Sequence, residues 1–386
     1  FFLFMLSGLC VFLVVHPFVT YPLTLKLLRR WVHRPLKPAT NPPAETFAVC
    51  VCAYNEAAVI REKAENLRAL QRALPGLEVL IYVDAASDKT AEILAEYKDH
   101  FFLHISPERH GKTHGMNLLV AQAKASVIVF SDANVMLDPG SLEALRPYFA
   151  DPSVGCVCGH LRYVNAGESV TAATGSLYWK LEEHIKQLET ETGSLMGADG
   201  SIFAIRRHLH HPPPDDIIDD MFVSFSILCD GYRIVRAPDV TASEESVTAS
   251  REEFRRKIRI ACQAFNVHRL LRPRLRTLGQ LDRYKYVSHK LMRWFAIYWL
   301  ALAVVLFEAS LWAAGYPVAG LVLIGLGVAG LWLGDRLRLS PVPQVVDILL
   351  AFVGTGLGVW RSLRGARFQT WSPAQSIRDA KKKAAL

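Results

Sequence analysis

The first 25 residues, "FFLFMLSGLCVFLVVHPFVTYPLTL", form an almost uncharged apolar run, and further runs cover roughly 294–314, 316–334 and 343–360. Stretches of about 20 apolar residues are long enough to cross a bilayer. The last run contains Gln344 and Asp347, which weakens its reading as a span. Between the first run and the others the periodicity changes. "TFAVCVCAY" reads as a buried strand and "NEAAVIREKAENLRALQRAL" as an amphipathic helix. "LEVLIYVDAASD" is again a strand, "KTAEILAEYKDH" a helix, "FFLHISPE" a strand, "HGMNLLVAQAKA" a helix and "SVIVFSDAN" a strand. This βαβαβαβ order predicts a parallel sheet with helices on both faces. Ligands of such sheets bind beyond the carboxyl ends of the strands. Tyr54-Asn55-Glu56, Asp84 and Asp132-Ala133-Asn134 all fall there.

Charge gives the pattern a direction. Lys26, Arg29, Arg30, Arg34 and Lys37 follow the first run with no acid before Glu45, and 251–290 holds twelve Lys and Arg against three acids. Positive charge beside spans stays cytoplasmic. We therefore expect an integral membrane protein, of a bacterial inner membrane, with its central domain in the cytoplasm. The net charge of +8 suits anionic lipid headgroups or anionic substrates. The basic residues flank spans and form no separate domain, which argues against nucleic acid. A cleavable signal is not expected, because the first run is long and lacks a small-residue cleavage site. The chain starts at Phe1 and not at Met, so some sequence is expected to precede it. One span before the domain and three after would place the tail "RDAKKKAAL" outside, so one C-terminal segment is expected to be re-entrant or interfacial.

Seven cysteines are present. Cys50/Cys52 and Cys156/Cys158 are spaced two apart in strand-like runs, so each pair shares a sheet face. Metal sites usually use wider spacings, and buried reduced thiols are expected. Two phosphate motifs fail. "GKT" at 111–113 lacks the Gly a P-loop needs at 106, which is Ser, and no Gly-x-Gly-x-x-Gly follows the first strand. The acids at separate strand ends offer other means. One can accept hydrogen bonds from a base or ribose, and another can hold a divalent cation that neutralises a diphosphate.

"VCAYNE", "VDAASDKT", "RHGKTHGMN", "FSDAN" and "IIDDMFVSFSILCDGYRIVRAPD" occur in an order that resembles the family-2 glycosyltransferases of the GT-A fold. The likeness spans about residues 47–270, and the flanking apolar helices resemble the membrane-bound polysaccharide-synthase branch. It implies a Rossmann-like, mostly parallel α/β domain flanked by transmembrane helices. By resemblance, Ala53, Tyr54 and Glu56 would line the nucleotide pocket, Asp84 would contact the base, and Lys112 would lie near ribose or phosphates. Asp132 and Asn134 fall on the family's Asp-x-Asp, the site of the metal–diphosphate unit, with Mg²⁺ or Mn²⁺ as the cation. Asn offers a neutral carbonyl oxygen, a weaker ligand than a carboxylate, so modest metal affinity is expected. "MGADGSIFAIRR" resembles the family's small-residue loop, where Gly197, Ala198 and Gly200 let the backbone approach sugar or acceptor and Asp199 could bond a hydroxyl. Tyr178, Trp179 and Glu182 lie on the helix before it, with Trp179 as readily a core residue as a sugar platform. Asp219-Asp220 matches the family's acidic pair, and Asp220 is the expected general base.

One departure stands out. Processive members carry Gln-x-x-Arg-Trp, but here Gln263 is followed by Asn266 and Val267. Arg259 is then the first choice to neutralise the diphosphate, with Arg255 and Arg256 beside it, and the same stretch also reads as an amphipathic helix on anionic lipid. His208, His210 and His211 sit in a Pro-rich loop and are expected at the surface. The domain plan is an N-terminal transmembrane helix (1–28), a linker (29–46), a glycosyltransferase domain (47–250), interfacial helices (251–290), a transmembrane region (291–362) and a basic cytoplasmic tail (363–386).

The resemblance implies an inverting transferase that moves a sugar from a nucleoside-diphosphate donor, by family habit a UDP-sugar, to a growing exopolysaccharide or a lipid-linked saccharide. The span arrangement and "GVWRSLRGARFQTW" favour the polymer, with possible partner proteins of a polysaccharide assembly system. The missing Arg-Trp favours the lipid-linked acceptor. A non-catalytic scaffold would not need acids at 84, 132 and 220 together. A transporter would place its polar residues inside the spans.

Overall fold

The computed structural model describes residues 1–40, 44–164, 170–245 and 250–370. The basic tail beyond 370, residues 41–43 of the Pro-rich linker and the side chain of Tyr178 lie outside that description. The first apolar run forms two helices, α1 (Phe2–Val15) and α2 (Thr20–Leu28), bent by 65° at the break. Pro17 sits in that break, where a ring without N–H cannot continue the helical ladder.

The central domain follows as β1 (Phe47–Ala53), α3 (Ile60–Ala73), β2 (Glu78–Asp84), α4 (Thr90–Ala95), β3 (Phe102–Ser106), α5 (Lys112–Gln122) and β4 (Val127–Ser131). Next come β5 (Met136–Leu137), the short α6 (Arg146–Phe149), β6 (Val154–Tyr163), α7 (Val170–Glu191), β7 (Ile202–Arg206), α8 (Asp219–Cys229) and β8 (Arg233–Glu244). One eight-stranded sheet has the order β3-β2-β1-β4-β7-β6-β8-β5. β1 pairs in parallel with β2 and β4, and β2 with β3, as the alternating pattern predicts. β7 is antiparallel to both β4 and β6, and β5 to β8, so the full sheet is mixed.

The alternation of side chains sorts the core. Ala48, Cys50, Cys52, Ile128, Phe130, Cys156 and Cys158 face one layer, packed with α5 and α8. Phe47, Val49, Val51, Val127 and Val129 face the other, packed with α3. Both cysteine pairs share a face, all four thiols are buried and free, and burial raises each of their pKa values.

Beyond the sheet, α9 (Ser250–Leu275), α10 (Gln280–Tyr286), a π-helical turn (Val287–Leu291) and α11 (Met292–Trp294) lead to three apolar helices. These are α12 (Ala296–Ala313), α13 (Pro317–Arg336) and α14 (Val342–Leu363), each long and apolar enough to cross a membrane. The bent α1–α2 pair would make a fourth span if it crosses as one. A buried polar network joins α2 and α7 to the turn before α11. Tyr21 donates to Glu189 (2.5 Å), His289 contacts Glu189 (2.7 Å) and Glu182 (2.8 Å), and Arg293 donates to Glu182 (2.6 Å). Glu182 is thus committed to the helical frame.

Candidate active site

The turns after β1, β2 and β4 lie side by side because their strands are neighbours in the sheet. Asn55 adopts φ +54° and links the first two turns, its Oδ1 accepting from the Ser87 amide (2.8 Å). Ala53 and Glu56 are buried, and the Glu56 amide donates to Thr90 Oγ1 (2.8 Å). The Arg109 guanidinium covers the Tyr54 ring at 3.4 Å, and its Nε lies 3.5 Å from Asp84. Asp84 is fully buried and accepts from the amides of His110 (2.8 Å) and Gly111 (3.2 Å). Its carboxylate therefore shapes the loop entering α5. Gly111 caps that helix with φ +95°, and a Cβ there would meet the Gln369 carbonyl oxygen at 2.1 Å.

The loop delivers Lys112 to the centre of the site. Its ammonium lies 2.7 Å from Asp132 Oδ1 and 3.6 Å from Asp219 Oδ2, bridging the end of β4 and the start of α8. A fully buried lysine supports the turn from below. Lys63 of α3 donates to Ser131 Oγ (2.9 Å) and to the Val135 carbonyl (2.5 Å), clasping Asp132 to Asn134 from both sides. Burial lowers its pKa to about 7, against the pull of Asp132. Sequence reading missed this residue, although a Lys on the apolar stripe of Ile60, Ala64 and Leu67 was a visible signal.

Asp220 opens α8 beside Asp219. Its Oδ1 accepts from the Met221 amide (2.5 Å), and its Oδ2 would lie 2.6 Å from a Cβ at Gly200. Gly200 therefore lets the small-residue loop pass directly over the carboxylate. Ser224, one turn along α8, donates to the Asp220 carbonyl (2.7 Å) and accepts from the Ala198 amide (3.2 Å), pinning that loop. Burial and then Asp219 push the Asp220 carboxyl up to about 7, with Asp199 adding and Lys112 opposing. A carboxyl held near 7 is suited to accept a proton at neutral pH.

Other expected residues are placed differently around this centre. Asp199 is paired with the buried Lys186, which also contacts Glu183 (2.7 Å). Trp179 meets Tyr163 edge-on at 5.6 Å, lies under Lys186 at 4.4 Å and donates to the Leu161 carbonyl (3.3 Å). Its ring is thus used in packing. Arg259 donates to Gln263 (3.3 Å). Burial and Arg256 lower its pKa, while Asp132 and Asp220 act in the opposite sense, which puts the guanidinium within electrostatic reach of both acids. His211 contacts Asp230 (2.5 Å), away from the acids described above.

Asn134 donates through Nδ2 to Glu244 Oε1 at 2.8 Å, bringing in a further acid that the sequence did not reveal. Burial and then Asp132 push the Glu244 carboxyl up to about 7, with Arg256, Asn134 and Lys112 opposing. Among the described residues no three His, Cys, Asp or Glu side chains are grouped to hold a cation alone. The donor set at the turn is a carboxylate and an amide, oxygen chemistry that fits Mg²⁺ or Mn²⁺ when phosphate oxygens share the ion. The Lys112 ammonium already shows that Asp132 accepts a positive charge there.

Gln263 and Asn266 hold the segment at the end of α14 and just after it. Gln263 donates to the Phe368 carbonyl (3.0 Å), and the buried Asn266 donates to the Ala366 carbonyl (3.0 Å) and accepts from Ser362 (2.6 Å). Gln369 then reaches the His110 carbonyl (3.0 Å) in the loop that enters α5. The helix expected at the interface thus packs against α8 and α14 and anchors the segment after the last span.

Comparison with known proteins agrees with this architecture. The chain is 26% identical over 202 residues to the poly-β-1,6-N-acetyl-D-glucosamine synthase of Staphylococcus aureus, covering 50% of this chain and 48% of that protein. The Staphylococcus epidermidis synthase is 23% identical over 201 residues, with the same coverage. The chain spans about half the length of the curated relatives it matches. Among solved structures, the mannosyltransferase PcManGT of Pyrobaculum calidifontis, determined with GDP-Man and Mn²⁺, superposes with a TM-score of 0.70 at 22% identity. That match covers 94% of this chain and 99% of PcManGT, and it shows the same fold. Residues 42–263, more than half of the chain, match the model of Glycosyltransferase like family 2, and the chain belongs to that family.

Proposed function

We propose that this chain is a membrane-embedded inverting glycosyltransferase that moves a sugar from a UDP-sugar to a growing exopolysaccharide at the cytoplasmic face. The observation that carries this is the meeting of Lys112, Asp132, Asp219 and Asp220 beneath the Gly197–Gly200 loop. Tyr54, Glu56 and the loop shaped by Asp84 form the nucleotide end. Lys112 and Arg259 face the diphosphate, whose charge grows as the bond to the sugar breaks. Asp132 and Asn134 would hold a divalent cation, which when bound would supply positive charge to neutralise the leaving diphosphate. Asp220 takes the proton from the acceptor hydroxyl as its oxygen attacks the anomeric carbon from the side opposite the diphosphate. The Gly200 backbone leaves room for the acceptor above that carboxylate. The polymer acceptor is supported by the staphylococcal relatives, which are named as synthases of a polysaccharide.

A second reading has its own observation. By the resemblance Asn266 and Val267 stand at the Arg and Trp positions of processive enzymes; both are buried, and Asn266 is bonded to the segment after α14. That favours single addition to a lipid-linked saccharide. The test is nucleotide release by the full chain in nanodiscs with a panel of nucleotide-sugars and Mn²⁺, with and without bacterial lipid extract. Release with polymer product and no added lipid supports synthesis. Lipid dependence with a single sugar added supports the second reading. Chelation is expected to stop release, and an undiminished rate in chelator would remove the metal role of Asp132 and Asn134.

A further inference from the structure

We propose that Glu244 is the second anionic group of the donor-site cation, supplying from β8 the charge that Asn134 does not carry. The inference rests on the donor-site reading above and adds a residue to it. The turn after β4 has one acid, Asp132, and so a single negative charge toward a divalent ion. β8 brings the other. β5 pairs with β8 in the register Met136–Ser243 and Leu137–Ala242, which sets the last residue of β8 beside the turn. There Glu244 Oε1 accepts from Asn134 Nδ2 at 2.8 Å. Its Oε2 is buried and accepts no hydrogen bond among the described residues. Leaving such an oxygen buried without a donor is unfavourable, and more so for a charged group. A cation beside Asp132 relieves it.

The amide at 134 fits this arrangement in a way an acid would not. With Nδ2 given to Glu244, the Asn134 Oδ1 is the atom left to face an ion. A carboxylate at 134 would stand against the Glu244 carboxylate at hydrogen-bond distance, and two like charges so close do not both ionise. Asn134 and Glu244 thus behave as a matched pair, one giving orientation and a neutral oxygen, the other giving charge. Lys112, 2.7 Å from Asp132, also acts on Glu244, which ties that carboxylate to the same electrostatic centre.

The test is Mn²⁺ affinity of the full chain in nanodiscs, read from the electron paramagnetic resonance signal of free Mn²⁺ in the presence of UDP. Glu244→Gln is expected to weaken Mn²⁺ binding about 10- to 100-fold. UDP binding in chelator should stay at the wild-type value, and thermal unfolding should not fall below it, because the lost carboxyl is one that burial holds above its ordinary pKa. The double variant N134D/E244Q exchanges the acid and the amide across the same hydrogen bond, and it should recover most of the lost affinity. Equal Mn²⁺ affinity in E244Q overturns the inference alone, as does a loss that the exchanged pair fails to recover. A wild-type chain that binds neither UDP nor Mn²⁺ overturns the donor-site reading and this inference with it.

Discussion

Replacing Asp220 by Asn removes the proposed proton acceptor while keeping the side chain's size and leaving Lys112, Asp132 and Asp219 in place. General-base catalysis typically contributes about 10²–10⁴-fold, so turnover by D220N should fall by that range with UDP affinity retained. The pH dependence is the sharper readout. Burial and the neighbouring Asp219 push the Asp220 carboxyl from 3.8 up to about 7. Only the ionised form can take the acceptor's proton. The wild-type rate should therefore rise with pH and level off near 7, losing about tenfold for each pH unit below that point. The Asp219 charge is one cause of that raised value. Removing the charge of Asp219 with D219N lowers it, and the acidic limb of the profile moves to lower pH.

Stability supplies an independent check. A carboxyl with a raised folded pKa binds more protons in the native than in the unfolded chain between 3.8 and about 7. Its contribution to stability therefore declines as pH rises through that window. D220N cannot ionise and lacks this decline, so above pH 7 it should unfold at a higher temperature than wild type. A profile that stays flat from about pH 5 to pH 8, or D220N turnover within a few-fold of wild type, would refute the assignment of Asp220 as base.

Two further substitutions probe how the site is held. Gly200→Ala places a Cβ 2.6 Å from Asp220 Oδ2, so loop or carboxylate must shift. Displacement of about 1 Å costs on the order of 100-fold in rate, and steady-state kinetics should show that loss with donor affinity kept. Lys63→Met keeps the length of the side chain but strips the Val135 carbonyl of its buried donor. The expected cost is about 1–3 kcal/mol in unfolding experiments. Because burial holds the Lys63 pKa down at about 7 against 10.5 unfolded, its contribution to stability grows as pH rises through that window. The deficit of K63M should accordingly be larger at pH 10 than at pH 7, and an equal deficit at both would contradict the buried-amine account.

What the sequence made legible is what local periodicity encodes. β1 reads as an unbroken apolar run because it lies between β2 and β4 and is buried on both faces. The polar residues that end β1, β2 and β4 converge because parallel neighbours carry their carboxyl ends to one edge. The antiparallel β7 gave no such cue, since a five-residue apolar strand looks the same in either direction. The residues that escaped reading depend on partners far away along the chain. Glu244 meets Asn134 across 110 residues, through a register that only the folded β5–β8 pair defines. Asn266 looked like the loss of an arginine, yet its partner at Ala366 lies 100 residues on. An arginine there would have to give up the bonds that hold the segment after α14. On α9 Asn266 is therefore a tether on the segment after α14. In the proposed site the diphosphate would then face Arg259, about two turns back along the same helix, whose guanidinium is under the electrostatic influence of Asp132 and Asp220.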